Sequence, residues 1–276
     1  MKRPDARNTA APLAASVGAY AEFDVAPSLQ AHFRCLWFHR MPDHEVSPIC
    51  VVPDGCVDLL WTGDTLRVAG PDRTAMIETM APGATVVGLR FRPAAAVSWL
   101  RLPMSELVNR RVDLEELWGR DARGLAGWLG EADTPGEIAR RLQAGLTPLT
   151  KTTAPPDLRM AALFAMSTRV DVKRMADRLG IGERTLRRHC QHAFGYGPKT
   201  LERILRFQRF LALSRRPEHL GRPERPERAQ RPAQPDGIGL ASCAAAAGYA
   251  DQAHLSREVR DLCGLSPSMI LSQHAV

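Results

Sequence analysis

The sequence predicts an α+β chain in two domains: a small β-barrel with helices after it, then an all-α unit. Three observations predict it. Short apolar runs divided by turn residues fill positions 31 to 92, whereas apolar residues recur at helical spacing almost everywhere beyond. "TPLTKTTAPPD", 147–157, is polar and proline-rich and separates the two regimes. Charge is also unevenly divided: residues 1–150 hold 16 Lys and Arg against 18 Asp and Glu, a net of −2, while residues 151–276 hold 21 against 12, a net of +9. A chain of 276 residues has length for two cores, and a basic half beside a near-neutral one suggests a polyanion-binding module joined to something else.

Residues 1–19 read as a disordered leader. Lys2, Arg3 and an Ala-rich tract imitate a secretion signal, but Pro4, Asp5 and Pro12 interrupt it. In the β-rich domain, 20–146, the runs "FRCLWF", "ICVV", "CVDLLW", "LRVAG" and "TVVGLRF" alternate with turn signals such as Pro53-Asp54-Gly55 and Pro82-Gly83. After Pro93, "AAAVSWL", "MSELVNRRVDLEELWG" and "GEIARRLQAGL" have helical spacing. A linker at 147–156 leads to the second domain, 157–273. Within it "RRPEHLGRPERPERAQRPAQPDG", 215–237, has five prolines and few large apolar residues, so it reads as a mobile insert. No apolar run is long enough to span a bilayer. The six cysteines lack CxxC spacing, which fits reduced, buried thiols in a cytoplasmic chain.

The second domain repeats itself. "GIGERTLRRHCQHAFGYGP" and "GYADQAHLSREVRDLCGLSP" each carry a Leu followed nine residues later by Gly and three beyond by Pro: Leu186, Gly195, Pro198 and Leu255, Gly264, Pro267. In the first copy, about 170–195, Val172, Met175, Ala176 and Leu179 form one stripe, with Asp171 as N-cap and Gly180 closing the helix. The next helix turns Leu186, Cys190 and Ala193 inward and Arg184, Arg187, Arg188 and Gln191 outward. In the second copy, about 238–264, "LASCAAAAGY" supports a helix with Asp251 as N-cap. Leu255, Val259 and Leu262 face in, while Gln252, Ser256 and Arg257 face out. This is the helix-turn-helix plan, whose second helix enters the major groove of double-stranded DNA. Arginine suits guanine and glutamine suits adenine. Between the copies "PKTLERILRFQRFLALS", about 198–214, forms a helical bridge whose Arg206 and Arg209 are candidate phosphate contacts. Two readers about 34 Å apart can occupy successive major grooves.

With these residues in view, 157–273 resembles the DNA-binding domain of the AraC/XylS family of bacterial transcription regulators, above all in "GYADQAHLSR" and the paired Gly-x-x-Pro endings. The resemblance implies base-reading positions at Arg184, Arg187, Arg188, Gln252, Ala253, Ser256 and Arg257. It departs from the family at Gly182, where a Ser cap is usual, at Cys190 and Val259, where Phe is usual, and in the long insert. The first half, through "VVPDGCVDLLW", "AGPDR" and "VVGLRFRPAAAVSWL", resembles a sensor-like domain that precedes such DNA-binding domains, implying a cupin-like barrel followed by helices. An effector there would act allosterically on both readers. Candidate partners are then DNA, a small-molecule effector, RNA polymerase and a second copy of the chain, on the nucleoid and without a membrane.

Candidate effector residues are Asp58, Arg90 and Arg92, since Arg90 and Arg92 alternate with Leu89 and Phe91 and can clamp an anion. The competing reading makes them surface charges or partners of Asp58 and Asp72. Cys56 and Asp58, with Cys35, His39, His44 and Cys50 near in sequence, raise the alternative of a metal- or thiol-dependent sensor or enzyme tethered to DNA. A core cysteine beside a hydrogen-bonded carboxylate is the plainer reading. No HxH pair occurs, and no cofactor, metal or catalytic residue is expected. Trp37, Trp61 and Trp99 read as core, and Asp113, Glu115 and Glu116 as acids at a helix start.

Overall fold

A computed structural model describes residues 11–44, 48–166, 172–215 and 240–274. Its first half contains β1 (Ala19–Phe23), β2 (Phe33–Arg40), β3 (Pro48–Val51), β4 (Asp58–Trp61), β5 (Leu66–Ala69), β6 (Met76–Thr79), β7 (Thr85–Phe91) and β8 (Arg111–Asp113). Six of them form an antiparallel sheet in the order β1-β2-β7-β4-β5-β8, and β3 pairs with β6 in a second, two-stranded sheet. The strands follow the sequence alternation. Leu59 and Trp61 of β4, with Leu36, Val68, Val87, Leu89 and Phe91, turn to one face. There they pack with Trp99, Leu129, Leu142 and Leu146 from helices α1 (Ala96–Leu100), α3 (Arg120–Gly130) and α4 (Pro135–Leu146); α2 (Leu114–Trp118) contributes Leu114 to the same core. Leu60 turns to the other face, in a small cluster with Cys35, Trp37, Val86 and Met80. Trp37 is paired in register with Gly88, where a Cβ would lie 2.1 Å from the indole. Only glycine lets that ring lie against the strand.

The second half is helical: α5 (Leu158–Met166), α6 (Val172–Leu179), α7 (Glu183–Phe194), α8 (Pro198–Ser214), α9 (Leu240–Ala247), α10 (Gln252–Cys263) and α11 (Pro267–His274). Pro198 opens α8, where a missing amide hydrogen costs nothing. Leu201, Ile204, Phe207 and Phe210 run along its buried side. The insert expected at 215–237 lies outside the described residues except for Arg215.

Both segments expected to be connecting ones carry contacts among the described residues. Residues 11–19 are not a disordered leader: Leu13 is 1% exposed, bridges to Cys50, and its amide donates to Gln273 Oε1 at 2.9 Å. One buried aliphatic side chain with two backbone anchors is enough to hold the segment, and neither anchor is local. Within the expected linker, Thr147–Lys151 forms a short 3-10 turn, whose Thr147 hydroxyl lies 3.1 Å from that of Ser28.

The halves also meet directly. Leu13 and Cys50 sit in the same apolar cluster as Leu186, Phe194, Leu201, Phe207 and Leu262. The Ala75 amide donates to the Leu262 carbonyl, and Gln208 Nε2 to the Pro53 carbonyl, each at 2.7 Å. Gly195, left-handed at φ +83° and capping α7, is pressed against the first half: a Cβ there would fall 2.6 Å from Val108 and 2.8 Å from Pro71.

Candidate nucleic-acid interface

The first two-helix unit is α6 and α7. Met175 and Ala176 anchor α6, and Gly180 ends it in the left-handed conformation while the Ile181 amide returns to the Ala176 carbonyl. Asp171, the expected N-cap, lies outside the described residues. Gly182 precedes α7 with extended backbone and offers no side-chain cap. Along α7, Leu186, Cys190, Ala193 and Phe194 are buried, and Arg184, Arg187, Arg188 and Gln191 are exposed. None of the three arginines forms an ion pair with the described residues. They are free charges on one face.

The second unit is α9 and α10. Cys243, Ala244 and Ala247 bury the small-residue face of α9, which ends at Gly248 with φ +92°. The Asp251 carboxylate accepts from the His254 amide at 2.6 Å and so caps α10. Leu255, Val259 and Leu262 face inward. Gln252, Ala253 and Arg257 are exposed and Ser256 is half-buried. These four and the three arginines of α7 all lie in the first half of their helices, the end that reaches base edges in this motif.

Arg206 and Arg209 of α8, expected as phosphate contacts, both make contacts within the protein. Arg206 has only 16% of its side chain exposed and pairs with Glu202 at 3.1 Å and Glu258 at 3.6 Å. Its guanidinium lies 5.3 Å from the centre of the Tyr249 ring. Arg209 Nη1 donates to the Ala247 carbonyl at 3.2 Å, at the end of α9. Arg206 thus links Glu202 on its own helix to Glu258 on α10, and Arg209 links α8 to the end of α9.

Beyond these contacts, Glu258 is the residue that sequence reading misses. It is 8% exposed, held by Arg203 at 3.1 Å, by Arg206, and by His254 at 3.4 Å. A signal existed: Glu258 lies between Leu255, Val259 and Leu262, a carboxylate on the apolar side of an amphipathic helix.

The effector residues are not brought together as a clamp. Arg90 Nε and Nη2 donate to Asp58 Oδ1 and Oδ2 at 3.0 and 3.1 Å, and Asp54 lies 3.0 Å away. Burial pushes the Asp58 carboxyl up from its ordinary value while Arg90 opposes the shift. Burial likewise works against the Arg90 charge, which Asp58 and Asp54 more than restore. Arg92 lies past the end of β7, exposed, and donates to the Gln30 carbonyl. The competing reading, Arg90 as partner of Asp58, describes the contacts; Asp72 pairs instead with Arg111 at 2.8 Å. His39 Nε2 meets the Val17 carbonyl at 2.7 Å. Among the described residues no three His, Cys, Asp or Glu side chains are grouped to hold a metal. Burial, then Asp54, pushes the Cys56 thiol well up, away from the reactive thiolate. A cleft of about 460 Å³ does open between the halves, bordered by Val97, Ser98, Met160, Arg188, His189 and His192.

Residues 21–113 match the model of a domain of unknown function, DUF6597. No curated protein sequence matches the chain. Among solved structures, ToxT from Vibrio cholerae O395 is similar at 10% identity over 86% of this chain and 96% of that one, with a TM-score of 0.41. Unsaturated fatty acid bound wild-type ToxT from strain SCE256 is similar at 10% identity over 91% and 97%, also at 0.41. A likeness at that level carries no functional weight. No helix among the described residues is long and apolar enough to cross a membrane.

Proposed function

We propose that this chain is a sequence-specific DNA-binding transcription regulator of the AraC/XylS type, reading two successive major grooves with α7 and α10. The observation that carries it is a contrast of charge. Arginines on the outer faces of both second helices are unpaired among the described residues, whereas Arg203 and Arg206 on the bridge between them are neutralised. Free cations at the start of paired helices suit base edges, while Arg203 and Arg206 already have carboxylate partners within the protein.

Regulation would pass through the junction of the halves, where contacts from the first half reach Leu262 on α10 and Gly195 at the end of α7. An effector that shifts the first half would bias both readers together. RNA polymerase and a second copy of the chain belong to the same reading as downstream partners, with the nucleoid as the site of action. Selection of bound duplexes from a random library by the full chain tests the core of it. Two short preferred segments about 10–10.5 base pairs apart are the expected outcome; one segment, or none, overturns it. Affinity should also fall steeply as salt rises.

A further inference from the structure

Glu258 does something that apolar packing cannot. Leu255, Val259 and Leu262 bury α10, but hydrophobic contact is non-directional and tolerates a roll or a slide of the helix. The carboxylate of Glu258 adds one directional hydrogen bond, from Arg203, and an ion-pair contact with Arg206 from inside that contact. Arg203 of α8 donates through Nε to Glu258 Oε1 at 3.1 Å and lies 3.5 Å from Asp261, one turn further along α10. Arg206, one turn along α8, stands 3.6 Å from Glu258 Oε2, with its Nη1 3.5 Å from the Gly248 carbonyl at the turn before α10. Two arginines of the bridge thus grip one reader at its middle, near its end and at its approach.

We infer that Glu258 is a positioning residue: with Arg203 and Arg206 it fixes the roll of α10 on α8, and so where Gln252, Ser256 and Arg257 stand relative to the arginines of α7. The inference rests on the regulator reading above. Burying an ion pair gives little net stability, but it penalises arrangements that leave a charge unpaired, and here those are the wrong rolls of the second reader. Its effect should therefore fall on the register between half-sites more than on the melting temperature.

The test is duplex selection with the full chain and Glu258→Gln, which keeps the shape and removes the charge. The variant is expected to retain the base preference of the α7 half-site. It should lose about tenfold in preference at the α10 half-site, or accept spacings one or two base pairs away from the wild-type one. Glu258→Asp, which keeps the charge, should recover part of the spacing rule. Val259→Ala, which only thins the apolar contact, should lower stability and leave spacing unchanged. If Glu258→Gln does not fold, Arg203→Gln is read in the same selection with the same expectations. A variant that selects the wild-type spacing and second half-site at full strength removes the inference and leaves the regulator reading standing. A wild-type chain that selects no two-part site removes both.

Discussion

Arg188 and Arg206 look alike in sequence, each on an amphipathic helix with apolar residues at the helical period, and their surroundings separate them. Arg188 is exposed and unpaired among the described residues, while Arg206 is enclosed by Glu202, Glu258 and Tyr249. Arg188→Ala is accordingly expected to cost about 1–3 kcal/mol of binding and to relax preference at one base pair; titration across single-base variants of the selected site measures both. The cysteines give a second expectation. Burial pushes the thiols of Cys35 and Cys263 up to about 11 and that of Cys190 up to about 12. Only the thiolate reacts, and a thiol at 11 is ionised in about one molecule in a thousand at pH 8. A disulfide reagent at pH 8 should therefore label these cysteines far more slowly in the native protein than in denaturant, with the native rate rising as pH rises. Fast native labelling of Cys56 would instead revive the thiol-sensor alternative.

The ends of α7 and α10 are built from unequal parts. Asp251 caps α10 through its side chain, whereas Gly182 leaves the first amides of α7 without one. Asp251→Ala should cost about 1 kcal/mol. Gly182 has φ −71°, ψ 152° and nothing within 4 Å of a Cβ, so Gly182→Ser adds a cap without a clash and should stabilise by a few tenths of a kcal/mol. Chemical denaturation of both variants measures the pair. These elements were legible in the sequence because their signals are local: the helical stripe, a left-handed glycine at the end, and an acid three residues before the amide it caps. The β half was legible as runs and turns. Its sheet order was not, because pairing β2 with β7 and β4 with β7 depends on partners far along the chain.

At the scale of the molecule the junction is the new feature, and Gly195 tests it against Gly264. Gly195 caps α7 and Gly264 caps α10, both in the left-handed region, at φ +83° and +74°. A Cβ on Gly264 meets nothing, so Gly264→Ala should cost only the backbone term of about 1–2 kcal/mol. Gly195→Ala should cost more, because its Cβ also strikes Val108, Pro71 and the Met104 carbonyl of the first half. Val108→Ala should relieve part of that excess and do nothing for Gly264→Ala; a double-mutant cycle on denaturation free energies reads the difference.

The sequence by itself determined the two repeated helical units, the Asp251 cap of α10 and which faces they turn outward, since each depends on residues within a turn or two. The tertiary structure alone decided which cations stay free and how the halves meet. Arg203 and Glu258 are 55 residues apart, Arg90 and Asp58 32, and Leu13 and Gln273 260. A charge or an amide finds partners at such distances only after the chain has folded, so no reading of neighbouring residues can tell a neutralised arginine from one left unpaired.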